Sequence, residues 1–142
     1  MFVVRTSLHP SPIHGIGAFA DEPIRAGQLV WQFDPRLDLC LPVEDLASFP
    51  EAVQEHIRTR AYFEERGDER VMVLCADNSQ YVNHSSRPNL LESEDGLQEI
   101  AGFDIAVGEE LTCDYFRFDL EAAAKLVGRR SASEPHRHGR LR

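Results

Sequence analysis

Gly108-Glu109-Glu110-Leu111-Thr112-Cys113-Asp114-Tyr115-Phe116 is a turn bearing two carboxylates that runs into a short segment ending in Asp-Tyr. Neighbouring residues of a strand point to opposite faces, so Glu109 and Glu110 read as structural acceptors and not as a catalytic pair. Tyr115 by itself reads as a core aromatic whose hydroxyl has found a partner. About 25 residues upstream lies Tyr81-Val82-Asn83-His84-Ser85-Ser86-Arg87-Pro88-Asn89, polar and placed just after an apolar run. Asn83 and His84 offer donors and acceptors suited to a small polar molecule, and a self-capped surface loop is the plainer reading. His84 reads equally as a structural histidine or a general base. No Ser/His/Asp set with a hydrolase motif accompanies it. Farther upstream, His14-Gly15-Ile16-Gly17-Ala18-Phe19 places two glycines around one residue. That pattern lets a backbone approach a ligand or turn tightly. It lacks the third glycine and the helix of a dinucleotide fingerprint.

Outward from these segments the pattern is of many short strands. Residues 2–6, 18–20, 28–33, 71–75, 97–103 and 111–116 read as strands, from apolar runs and alternation. Residues 42–67 change character: 43–46 and 50–65 are rich in helix formers, and Val53, Ile57 and Ala61 recur at a spacing of four. Two short helices are expected there, the second with Pro50 in its first turn. Residues 120–127 predict a further helix, and 129–142 a basic flexible tail. The fold class is mainly β with small helices.

At 142 residues the chain fits one domain, and 42% hydrophobic residues suffice for a core. No apolar run reaches the roughly 18 residues of a membrane span, and no secretory signal stands at the start, so a cytoplasmic protein is expected. Cys40, Cys75 and Cys113 are sparse and odd in number, which points to reduced, buried thiols and to no metal site. The net charge is −9; five arginines and one acid give the tail +4, leaving −13 on the rest. An acidic body disfavours nucleic acid as the main ligand and suits a basic partner. Lys125 is the only lysine, leaving almost no target for self-modification.

The three segments in this order, around a variable helical insert, resemble the SET domain of protein lysine methyltransferases. The resemblance spans residues 3–118. It implies a SET-domain fold of short β-sheets with a C-terminal pseudoknot, in which one motif segment threads beneath a loop of the other. A SET domain over 1–119 is implied, with the helical insert at about 42–67 and a helix at 120–128 packed on it. It implies S-adenosylmethionine as cofactor and transfer of its methyl group to a lysine of a basic protein. His14, Gly15 and Ile16 would contact the amino-acid end of the cofactor, with Gly17 keeping the turn tight. Asn83 would hold the amine or ribose region, His84 the adenine through its backbone, and Phe118 would cover the adenine. Tyr115 would be catalytic, Tyr81 would line the cofactor or lysine pocket, and Glu109 and Glu110 would accept bonds from the threaded loop.

The residue types suit that chemistry. A lysine amine, with a pKa of about 10.4, must lose a proton and be aligned before it attacks. A narrow apolar channel disfavours the ammonium, and a neutral tyrosine hydroxyl can orient the amine. Two features depart from the family pattern. Ser86 stands where many relatives have cysteine, and no cysteine follows Cys113, so no zinc-closed wall is expected. Phe116, Phe118 and the last helix must close the pocket instead. Cys113 stands where an aromatic is common, and the wider pocket that results favours more than one methyl. Two other readings remain: a catalytically silent SET-like module that binds the cofactor or a partner, and an enzyme acting on a non-protein amine. A small domain without a flanking region also suggests a homodimer.

Overall fold

Pro10 has no backbone N–H to give a ladder, and it sits at the last position of β1 (Thr6–Pro10), where that lack costs least. The chain then turns back into β2 (Ile16–Ala20), antiparallel to β1 with Pro10 opposite Ile16. In the computed structural model, which describes residues 1–132, β3 (Leu29–Gln32) follows. After it come β4 (Leu39–Pro42), a 3-10 turn at Val43–Ser48, α1 (Glu51–Arg60), β5 (Tyr62–Arg66) and β6 (Glu69–Leu74). Then come a 3-10 turn at Asn78–Tyr81, β7 (Asn83–His84), β8 (Leu90–Glu92), β9 (Gln98–Ala101), β10 (Thr112–Cys113), a 3-10 turn at Tyr115–Arg117 and α2 (Ala122–Ala132). Mostly strands with a few short helices, this is the expected class.

The strands form four small sheets: β1-β2, β10-β7, β3-β9-β8 and β4-β6-β5. The decisive pairing is β10 with β7, parallel, Thr112 opposite Asn83 and Cys113 opposite His84. Asn89 locks it: its Nδ2 donates to Glu110 O at 2.8 Å and its Oδ1 accepts from Thr112 N at 2.8 Å. On its other side the same segment meets β2, where Leu111 N donates to Ala18 O at 2.8 Å. One core, containing Ala18, Val30, Leu90, Leu111 and Tyr115, lies under these crossings; a second, with Leu46, Ile57, Phe63 and Met72, lies under the insert.

Several sequence expectations need correction. The first strand is not 2–6. Phe2 makes a single bridge to Trp31, its N–H is taken by Asp77 Oδ2 at 2.7 Å, and regular pairing begins at Thr6. The second insert helix ends at Arg60, because Tyr62–Arg66 is a full partner of β6. Burying Phe63 in that hairpin outweighs the helix propensity of Glu64 and Glu65. Pro50 is the N-cap and not inside the first turn. The strand expected over 111–116 shrinks to two residues, because Asp114 caps a 3-10 turn through its bond from Phe116 N at 3.1 Å. Cys75 and Cys113 are buried but Cys40 only half so. The last helix runs beyond residue 128 to Ala132, and the remainder of the basic tail lies outside the described residues. Within the described residues no helix is long and apolar enough to cross a membrane.

Candidate active site

Glu110 is the hub of the three motif segments. Ser11 Oγ, which lies 2.7 and 2.9 Å from its two oxygens, donates to it, and so does Asn83 Nδ2 at 2.8 Å. Ser11 also accepts from Ile13 N at 2.9 Å, and its own N–H bonds Gly15 O at 2.8 Å, so one serine folds the glycine turn. Asn83 Nδ2 reaches His14 O at 3.0 Å and Ile16 O at 3.4 Å. The turn is therefore pinned from two sides. Gly15 sits at φ 50, which exposes its backbone, and nothing lies within 4 Å of where its Cβ would be. Gly17 is glycine for another reason: a Cβ there would stand 2.2 Å from Glu110 Oε1. Glu109 plays a separate part, accepting from Ala106 N in the preceding turn.

Around this turn opens a cleft of about 600 Å³. His14, Gly15, Ile16, Tyr81 and Asn83 form one wall. The insert and α2 supply the other, with Arg58, Arg60 and Lys125. The Arg60 guanidinium lies 4.1 Å above the Tyr81 ring.

Beside the cleft is a tighter cavity of about 80 Å³, lined by Trp31, Tyr62, Val82, Cys113, Tyr115 and Phe118. Tyr115 is 8 % exposed, and its hydroxyl donates to Val82 O at 2.6 Å. Its backbone N–H donates to His84 Nδ1 at 3.2 Å, so that nitrogen is an acceptor and the ring's proton is on Nε2. The His84 ring packs 5.4 Å from Tyr115 and edge-on, 5.5 Å, to Phe116. Phe118 stands edge-on to Tyr62 at 5.3 Å and at 6.1 Å to Tyr115. The Tyr62 hydroxyl is buried and has no hydrogen-bond partner among the described residues. Burial raises its pKa above the ordinary phenol range, so it is a neutral group at physiological pH. Glu92 and Glu99 complete the rim, directly opposite one another on β8 and β9. Burial, with Glu92 adding to it, pushes Glu99 up to about 7.

The structure thus sorts the residues singled out in the sequence. His14, Gly15, Ile16, Tyr81 and Asn83 line the cleft, whereas Cys113 and Tyr115 line the cavity. Phe118 belongs to the cavity and not to the cleft. Gly17 and His84 line neither; Gly17 makes room for Glu110 and His84 backs Tyr115. Cleft and cavity meet at Thr59, Arg60, Gln80 and Lys125, which border both. Sequence reasoning missed Trp31, Tyr62 and Lys125. Tyr62 was hidden in a segment read as helix, although an aromatic pair ahead of Gly67 is a hairpin signal.

With this geometry in view, residues 15–116 match the SET domain family. The chain belongs to the SET-domain family. It is 31% identical over 120 residues to the histone-lysine N-methyltransferase SETD1 of Drosophila melanogaster, a match covering 78% of this chain and 7% of that protein. The chain therefore spans a small part of that relative. The fold is shared with the Polycomb Repressive Complex 2 of Chaetomium thermophilum in an autoinhibited conformation bound to S-adenosylmethionine. That likeness has a TM-score of 0.62 and 22% identity, covering 90% of this chain and 17% of the other. It is also shared with CpSET8 of Cryptosporidium, at a TM-score of 0.54 and 19% identity over 78% of this chain and 56% of that one. SET methyltransferases use S-adenosylmethionine. The cleft fits such a molecule in size, since small-molecule sites run to about 300–1,000 Å³. It also fits in chemistry: exposed turn backbone suits the ammonium end, and Arg58, Arg60 and His14 suit a carboxylate.

Proposed function

We propose that this SET domain is a protein-lysine methyltransferase that binds S-adenosylmethionine in the cleft and takes a substrate lysine through the cavity beside it. The observation that carries the reading is the contact between the two spaces. A cleft walled on one side by turn backbone shares Thr59, Arg60, Gln80 and Lys125 with an aromatic cavity that Tyr115 lines. When bound, the cofactor supplies an electrophilic methyl on a sulfonium.

The rest falls to the chain's own side chains. His14, Gly15 and Ile16 present backbone to the cofactor, and Glu110 with Asn83 and Ser11 holds that turn in place. Tyr62, Phe118 and Trp31 exclude water from the incoming side chain and disfavour its ammonium form. Tyr115 Oη, fixed by Val82 O, gives the amine a neutral oxygen to align against. His84 is a positioning residue: its ring nitrogen accepts from Tyr115 N, which leaves it poorly placed as a base. The net charge of −9 favours a basic segment as substrate. Cys113, small where an aromatic is common, leaves room beside the amine.

Tyr115→Phe tests the assignment. Calorimetric binding of S-adenosylmethionine should be retained, whereas methyl transfer to protein, followed with a radiolabelled methyl group, should fall about 10²- to 10³-fold. Undiminished transfer would rule out the role given to Tyr115. Cofactor binding by the wild type with no transfer to any protein would favour the silent module, and transfer only to small amines the third reading.

A further inference from the structure

Lys125 is the one lysine of the chain, and α2 carries it into the wall that cleft and cavity share. A lysine on a surface helix ordinarily keeps its ammonium in water. This side chain is only 11 % exposed. Its Nζ donates to Ala61 O and to Asp119 Oδ2, and lies 5.5 Å from the centre of the Phe63 ring. Asp119 is itself immobilised, its Oδ1 accepting from Phe63 N at 3.1 Å and from Glu121 N at 3.0 Å. The fold thus fixes the position of Nζ, and fixes it where a methyl donor in the cleft borders the aromatic cavity.

A methyl acceptor needs an amine beside the donor and held there, and proximity of this kind removes most of the entropic barrier. Lys125 satisfies both needs with no second protein. We infer that Lys125 is a methyl-acceptor site, modified in cis by its own domain; the inference rests on the methyltransferase reading above. Nζ first loses a proton to water in the cleft that Lys125 borders. Its lone pair then forms the N–C bond to the methyl carbon as the C–S bond breaks and its electron pair passes to sulfur. The positive charge moves from sulfur to nitrogen, leaving the neutral thioether S-adenosylhomocysteine and an N-methylammonium beside Asp119. A monomethylated ammonium keeps two N–H donors, matching Ala61 O and Asp119 Oδ2, whereas a trimethylated one keeps none. The site is therefore built to tolerate the first methyl.

A single lysine makes the test direct. The full chain produced with lysine labelled with 15N at Nζ alone gives one side-chain signal, and S-adenosylhomocysteine, which cannot react, is titrated into it. A shift of that signal on saturation is expected. A motionless signal, with binding seen by calorimetry, separates Nζ from the cofactor and overturns the inference. The protein is next incubated with S-adenosylmethionine and its mass and peptides are measured. One methyl on Lys125 is expected, acquired at a rate unchanged by dilution, and none in Lys125→Arg. Labelling that slows on dilution overturns the cis site. Lys125 unlabelled while an added basic protein is methylated overturns it too and leaves lysine transfer standing. No label on Lys125 or on any protein of a whole lysate, with cofactor bound, takes the methyltransferase reading down as well.

Discussion

At the scale of single residues, the site depends on one carboxylate and the space left for it. Glu110 gathers Ser11 and Asn83, and through them the turn at His14–Ile16 and the strand at β7. The absence of a side chain at Gly17 admits it: a Cβ would meet Oε1 at 2.2 Å and the carboxyl carbon at 2.8 Å. Because two donors anchor that carboxylate, it cannot swing aside. Gly17→Ala should destabilise the domain by about 1–3 kcal/mol, the usual cost of overpacking, read from urea unfolding. Adding Glu110→Asp, which withdraws the carboxylate by one methylene, should recover part of the loss. A purely additive double variant would show that the two residues do not meet. The sequence reads Gly17 as part of a tight turn, whereas it is the second residue of β2, opposite His9, and the residue that needs its space is far along the chain.

The strand–loop crossing is settled at the scale of elements. β7 and β10 are two residues each, too short to be stable alone, and Asn89 supplies what they lack. Its side-chain amide donates to Glu110 O and accepts from Thr112 N, and the residue is 7 % exposed. Asn89→Ala takes the partner from one buried and one part-buried backbone group and should cost about 1–3 kcal/mol in chemical denaturation. Asn89→Asp, which keeps the acceptor and loses the donor, should fall between. An Asn89→Ala protein as stable as wild type would mean that the pairing holds without its clamp. The motifs at 14–17, 83–84 and 109–115 were legible because their residue types and order are unusual. The elements between them were not. Residues 39–42 and 90–92 are strands only because β6 and β9 lie beside them, and 62–66 left the helix pattern for the same reason. Pairing partners distant in sequence leave no local periodicity to read. Nor does spacing announce that Tyr62 and Phe118 will face each other.

For the molecule as a whole, charge adds a pH dependence. Glu99, opposite Glu92, has its folded pKa raised from 4.5 to about 7 by burial first and by its neighbour second. Below 4.5 both folded and unfolded chains hold that proton. Between 4.5 and about 7 only the folded chain keeps it, so this group's contribution is lost as pH rises through that window. Thermal denaturation against pH should show the decline, and Glu99→Gln, which cannot titrate, should flatten it. An unchanged profile in that variant would place the dependence elsewhere. At the acid end the sign reverses: Asp34, held low by its bond from Arg36, and Asp95, held low by Ser93, favour the folded state until they protonate.

The join between β2 and the segment after residue 108 also bears on how the chain is made. Ala20 N donates to Glu109 O and Leu111 N to Ala18 O, so the outer edge of an early strand is covered by residues that leave the ribosome much later. Until they arrive, that edge is bare and available to any other extended chain. Nascent protein stalled before residue 109 should therefore be sticky, and refolding from denaturant should be gated by the slow search that brings the two ends of the domain together.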